Sequence, residues 1–297
     1  MGALRGASIL AGFFALTIPL MPLQAVLLRV APKAARRFPH WYHKRVCQLL
    51  GVRLSIEGCV PPDTSVLIVS NHTSWLDIPV LSAVAPVSFV AKKQVGSWPF
   101  VSMLARLQRS VFIDRDRRQA SGAAASEIAS RLGGGEAIVL FPEGTSSDGN
   151  SVLPFKSALF GALWPGVADH GVDDTPAAEV LVQTVAIVYT HVHGLPLNRA
   201  GRPRIGWYGD MEMRGHAWDV LKSGPIDVCI RVGKPMPMQS FGNRKNLALE
   251  TERQIRNAVL GILRAGPEGE PLQAVLPSAD QRRPRAPDRG NPRDNWT

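Results

Sequence analysis

Only three cysteines occur in the 297 residues, Cys47, Cys59 and Cys229, an odd number with no CxxC pair among them. That excludes a disulfide framework and a four-cysteine zinc site, and it fits a reducing compartment. Neither GxGxxG nor GxxxxGK[ST] is present, so nothing supports a dinucleotide or P-loop site. No GxSxG elbow occurs either, which removes the α/β-hydrolase nucleophile. His191 and His193 stand alone, without a third ligand at metal-site spacing, and no metal is expected. Acids are the scarcer charges, 24 against 34 basic residues, giving a net charge of +10. The arginines at 282–293 are balanced by nearby acids and lack interleaved aromatics, so the tail does not read as a nucleic-acid surface.

What is present is a chain with 45% hydrophobic residues, enough for a large core. The positive charge is concentrated at the start: residues 1–60 hold eight basic residues against Glu57 alone. Residues 9–28 carry no charge at all, a run long enough to span a bilayer core. Pro19 and Pro22 are expected to break or kink that helix near its middle, leaving open whether it spans or folds back as a hairpin. The tripeptide 23–25 lacks a signal-peptidase pattern, which favours a retained anchor. The basic run 33–45 follows at once and places the next segment on the cytoplasmic face of the inner membrane. Trp41 and Tyr42 within it suit a headgroup interface or a core.

Beyond residue 50 short apolar runs alternate with helical patterns. Strands are expected at 53–57, 66–70, 87–91, 111–114, 137–141, 180–189 and 226–232. Helices are expected at 74–84, 98–107, 119–132, 155–163 and 246–263. The alternation predicts an α/β fold: a single domain with a mixed, largely parallel sheet flanked by helices, plus an N-terminal hydrophobic membrane-anchoring helical segment. The expected divisions are an anchor and basic segment at 1–48, the main domain at 49–265, and a disordered tail at 266–297, which is rich in Pro, Arg, Asp and Gly.

Three polar groups leave the ends of strands, where α/β proteins place their sites. Asn71-His72-Thr73-Ser74-Trp75-Leu76-Asp77 follows the first buried run. His72 is a candidate general base, and Asp77 could fix its tautomer, as in a catalytic triad without the serine. Phe141-Pro142-Glu143-Gly144-Thr145 follows another strand, and its tight bend is expected to present Glu143 and the N–H groups of Gly144 and Thr145 to a site. Arg115 closes Phe112-Ile113-Asp114-Arg115 and suits capture of a carboxylate or phosphate.

Together these blocks resemble the glycerolipid acyltransferase superfamily, typified by bacterial 1-acylglycerol-3-phosphate acyltransferase, over residues 50–235. Asn71, His72 and Asp77 meet its N-H-x-x-x-x-D block, Phe112 to Arg115 its F-I-D-R, and Phe141 to Thr145 with Ser147 its F-P-E-G-T-R-S. Three positions depart from the pattern: Arg109 replaces a glycine, Thr184 a proline, and Ser146 the arginine that follows Glu-Gly-Thr. Further blocks, FPEGTSSDGN, FKSALFG, HGLP, WYGDM and GPIDV, are similar to bacterial lyso-ornithine lipid acyltransferases. The resemblance implies a membrane-bound enzyme that moves a fatty acyl group from acyl carrier protein or acyl-CoA to a lysolipid hydroxyl. His72 and Asp77 would be catalytic, and Asn71, Arg115, Glu143, Gly144 and Thr145 would bind substrate. No cofactor is implied; the partners are the donor, the lysolipid and membrane lipids. The loss of a cation at Ser146 points to an acceptor without phosphate, lyso-ornithine lipid, ahead of lysophosphatidate. A non-catalytic membrane-binding module is the rival class, and the intact His72–Asp77 pair argues against it.

Overall fold

The computed structural model describes residues 2–113, 118–161 and 180–264. Seven helices are described: α1 (Gly2–Val30), α2 (Pro32–Leu50), α3 (Asp77–Val84), α4 (Pro99–Leu107), α5 (Arg118–Gly133), α6 (Met213–Lys222) and α7 (Arg244–Arg264). Nine strands form one sheet: β1 (Val52–Glu57), β2 (Val66–Ser70), β3 (Val87–Lys92), β4 (Val111–Ile113), β5 (Ala137–Leu140), β6 (Leu181–Val192), β7 (Leu195–Pro196), β8 (Ile226–Val232) and β9 (Met236–Pro237). The order is β1-β8-β6-β2-β5-β3-β4, with β7 and β9 paired to β6. The five strands from β6 to β4 are mutually parallel, and β8 runs antiparallel to β6. This is the mixed, largely parallel sheet expected from the alternation.

Both faces of the sheet are covered. One core joins Ile9, Val46, Leu81 and Val220 of α1, α2, α3 and α6 to the strands. The other joins Ile128 and Leu132 of α5 to Leu247, Ile255 and Val259 of α7. Strands buried on two faces need no polar alternation, which is why β2 is buried at every residue.

The N-terminal helix departs from expectation. It runs unbroken through Pro19 and Pro22, and the chain breaks only at Ala31, ahead of Pro32. Packing on either side of the prolines holds it: Thr17 Oγ1 meets the Tyr42 hydroxyl at 2.7 Å, and Gln24 Nε2 donates to Ala35 O at 3.0 Å and Leu107 O at 2.9 Å. At 29 residues, roughly 43 Å, α1 is long and apolar enough to cross a membrane. Thr17 and Gln24 are only 1% and 3% exposed, whereas Ile18 and Val26 are 58% and 51% exposed. An apolar face left exposed on a helix of this length fits membrane association.

Arg5 does not contribute to a basic membrane face. Its guanidinium donates to Leu50 O at 2.9 Å and to the carbonyls of Leu221 and Ser223. These carbonyls end α2 and α6, where cations are favoured. Arg5→Ala should therefore weaken the docking of α1 by about 1–3 kcal/mol. Hydrogen exchange of α1 in detergent checks it; the protection of β2 and β5 should not change.

Two further elements differ. Helix α3 starts at Asp77, not Ser74, because the N–H groups of Thr73 and Ser74 turn back onto the Asp77 carboxylate. The expected helix at 155–163 is a short 3-10 turn, Ser157–Phe160. Its backbone is engaged from outside: Phe155 N–H donates to Glu252 at 2.8 Å and Lys156 N–H to Pro142 O at 2.9 Å. Residues 162 and 163 lie outside the described residues, as does the tail 266–297.

Arg109 stands at φ 62°, in the left-handed region that favours glycine. The glycine pattern at this position thus has a backbone cause. Here the turn is held by Arg109 to Glu136 at 2.8 Å and by Arg131 on the Arg109 carbonyl.

Candidate active site

Strands β2 and β5 are neighbours, so the loops leaving their carboxyl ends meet. The first carries His72 and the second Glu143 to Ser147. His72 Nδ1 lies 2.8 Å from Asp77 Oδ2. The same oxygen accepts Thr73 N–H at 2.7 Å and Ser74 N–H at 3.0 Å. An oxygen that accepts both N–H groups acts as an acceptor toward the ring as well, so Nδ1 carries the ring proton and Nε2 presents a lone pair. The imidazole stacks on Phe141, with ring centroids 4.2 Å apart and planes 19° apart. Asp77 is fully buried, while the His72 side chain is 19% exposed. One group is shielded from water and the other is reachable by substrate.

Of the expected substrate-binding residues, two are turned into the scaffold. Asn71 brackets the backbone of Ile187: Nδ2 donates to Ile187 O and Oδ1 accepts Ile187 N–H, each at 2.9 Å. It continues the β2–β6 pairing past the end of the strand. Glu143 is buried as well. Its oxygens accept His72 N–H at 2.9 Å and Leu153 N–H at 3.1 Å. Burial pushes its carboxyl up to about 8, against those two donors, which pull it down. The Pro142–Gly144 bend forms as expected, with Gly144 at φ 74° and its N–H on Phe141 O at 3.2 Å. It aims Glu143 inward because the His72 N–H and the Leu153 N–H lie there. Gly144 and Thr145 do line the site. Arg115 lies outside the described residues.

His72 opens onto a cavity of about 620 Å³, within the range of small-ligand sites. Thr145, Ser146, Trp207 and Lys92 line it together with His72. Trp98 and residues of α4 as far as Leu107 also line it, a stretch of about 14 Å at helical rise. Phe13, Leu20 and Met21 of α1 and Phe38 and Val46 of α2 complete the lining. The helix expected only to anchor the chain therefore also builds the cavity.

Sequence reasoning missed Trp98, Trp207 and Tyr189. Trp98 and Trp207 meet edge to face at 6.0 Å. Trp207 N–H donates to Thr73 O at 2.9 Å, and Ser146 Oγ donates to the Trp207 carbonyl. The position without its arginine is thus filled by a loop that closes over it. Tyr189 donates to Asp77 Oδ1 at 2.6 Å. A tyrosine in a buried strand signals that its hydroxyl needs a partner.

Residues 52–187 match the family model described as Acyltransferase. The chain is 45% identical over 265 residues to a lyso-ornithine lipid O-acyltransferase of Brucella abortus, covering 88% of this chain and 97% of that protein. It is 39% identical over 280 residues to one of Rhizobium meliloti, covering 91% and 94%. The crystal structure of the 1-acyl-sn-glycerophosphate (LPA) acyltransferase PlsC of Thermotoga maritima shares the fold, with a TM-score of 0.61 at 22% identity, over 88% of this chain and 95% of that one. With the His72–Asp77 pair opening onto an apolar cavity, the chain is an enzyme of the acyltransferase family.

Proposed function

We propose that the enzyme acylates the hydroxyl of lyso-ornithine lipid from an acyl thioester, on acyl carrier protein or CoA, in ornithine lipid synthesis. The observation that carries the reading is the His72–Asp77 pair opening onto a long apolar cavity. The acyl chain occupies the cavity along α4. The lipid hydroxyl approaches His72 Nε2, gives up its proton as its oxygen attacks the thioester carbon, and the thiolate departs. Thr145, exposed and without a hydrogen bond among the described residues, offers its N–H to the developing oxyanion.

The acceptor assignment draws on the mouth. A phosphate dianion calls for fixed cations, and the position after Glu-Gly-Thr is Ser146, bonded to the Trp207 carbonyl. Trp98 and Trp207 instead offer aromatic surface to an ammonium head group, with Asp210 and Glu212 exposed on the same loop. Lys92 suits the carboxylate of an amino-acid head group. The similarity to two proteins described as lyso-ornithine lipid O-acyltransferases supports this reading.

Membrane association follows from α1 and from the apolar acceptor. We place α1 in the inner membrane, with its outward aliphatics in lipid and the basic residues of α2 at the cytoplasmic surface. Its inner side is the cavity wall, so a lipid substrate reaches His72 without crossing water.

An acyl-transfer assay offering lyso-ornithine lipid and lysophosphatidate side by side tests the reading. Lyso-ornithine lipid should be acylated faster. Trp207→Ala should lower kcat/KM for it by about tenfold, the loss of one cation–π contact, and change the lysophosphatidate rate less. An enzyme that acylates lysophosphatidate and ignores lyso-ornithine lipid overturns the acceptor assignment.

A further inference from the structure

Tyr189 does not line the cavity, yet it is joined to the reacting pair. Its hydroxyl donates to Asp77 Oδ1 at 2.6 Å, and the two residues are 3% and 0% exposed. The carboxylate is thereby divided. Oδ2 serves His72 and the loop N–H groups of Thr73 and Ser74, while Oδ1 is served by Tyr189. Strand β6 is placed for this task. Asn71 grips the backbone of Ile187 in both directions, and Tyr189 follows two residues later on the same face. The β6–β8 register then slips between Tyr189 and His191, an irregularity of the kind that re-aims side chains beside sites.

We propose that Tyr189 is a positioning residue that sets how strongly Asp77 supports the proton on His72. The proposal rests on His72 as the base. A neutral donor on Oδ1 draws part of the carboxylate's negative charge away from the imidazole. When the lipid O–H bond breaks, the proton goes to His72 Nε2 and the imidazolium forms against Oδ2. Without the tyrosine hydroxyl, the charge gathers on Oδ2 and the protonated pair is held more tightly.

Other ionisable groups near the pair and Tyr189 are Glu143 from the loop after β5, Cys47 from α2 and Arg202, which shares a small cavity with Tyr189 and Thr73; Lys92 lines the large cavity with His72, and Arg256 of α7 acts on Glu143. Burial, then the Asp77 charge, holds the Tyr189 phenol well above its ordinary range, so it remains a donor throughout. Burial pushes the Cys47 thiol up to about 12, leaving it neutral.

The test is the pH dependence of kcat/KM in the full-length enzyme in detergent. Tyr189→Phe should move the acid limb up by about one unit, with KM for the lysolipid little changed. Site-specific 3-fluorotyrosine at 189, a stronger donor of nearly the same volume, should move the limb the opposite way. In an Asp77→Asn background, Tyr189→Phe should no longer shift it. A folded Tyr189→Phe enzyme with the wild-type limb overturns the proposal. If that variant does not fold, the fluorotyrosine enzyme decides: a limb that stays or rises overturns it. A large loss of activity in His72→Ala tests the underlying reading, whereas an unmoved acid limb in an active Tyr189→Phe enzyme overturns this proposal alone, so the two fail separately.

Discussion

Replacing His72 by alanine should reduce acyl transfer by about a thousandfold or more, since general-base help is worth roughly 10²–10⁴ and alanine also removes the surface against which the hydroxyl is oriented. The fold should survive. The imidazole is at the rim of the cavity, partly exposed, and stacks on Phe141 without entering the core. Asp77 keeps Thr73, Ser74 and Tyr189 as donors when the ring is gone. The loss in stability should therefore stay near one hydrogen bond, about 1 kcal/mol. Single-turnover kinetics with thermal unfolding on the same preparation separates the two effects. A His72→Ala enzyme with near-normal turnover would sink the base assignment.

The legible part of this site was the meeting of His72 with Asp77; its wiring was hidden. His72 and Asp77 stand five residues apart at a strand end, so sequence alone could bring them together, and the 2.8 Å contact follows. Asn71 and Glu143 belong to the same blocks, and their polarity suggested substrate contact. Their partners are backbone atoms of Ile187, His72 and Leu153, which no spacing rule places there. Tyr189 is 112 residues from Asp77 in the chain and reaches it only because β6 lies beside β2. The parallel strands were readable because burial on two faces forces continuous apolar runs. The turn at Ser157–Phe160 was not, because its amphipathic pattern is overridden by tertiary hydrogen bonds to Phe155 and Lys156. The prolines of α1 misled in the same way. Local cost was legible, and the packing of Thr17 and Gln24 that offsets it was not.

Asp77→Asn should lower kcat by about a hundred- to a thousandfold, and its cause differs from that of His72→Ala. Three donors converge on Oδ2 and one reaches Oδ1. An asparagine fits only with its oxygen toward the three, since an amide NH₂ there would face three N–H groups. Its NH₂ then points at Tyr189, whose oxygen can accept. The His72 tautomer is retained, and what is lost is the negative charge beside the imidazolium. A charge-assisted hydrogen bond reduced to a neutral one, together with the missing charge, accounts for roughly 3–4 kcal/mol of transition-state stabilisation. The sign with pH is fixed by the same step. Without the carboxylate the protonated ring is less favoured, so the acid limb of kcat/KM should fall to lower pH, opposite to Tyr189→Phe. Raising the pH should not restore the rate, because the missing interaction is with the imidazolium formed during transfer and not with the free base. Pre-steady-state acyl transfer across the acid range measures both quantities. An asparagine variant within tenfold of wild type, or one whose acid limb does not move, would leave Asp77 a structural anchor of the Thr73–Ser74 loop and nothing more.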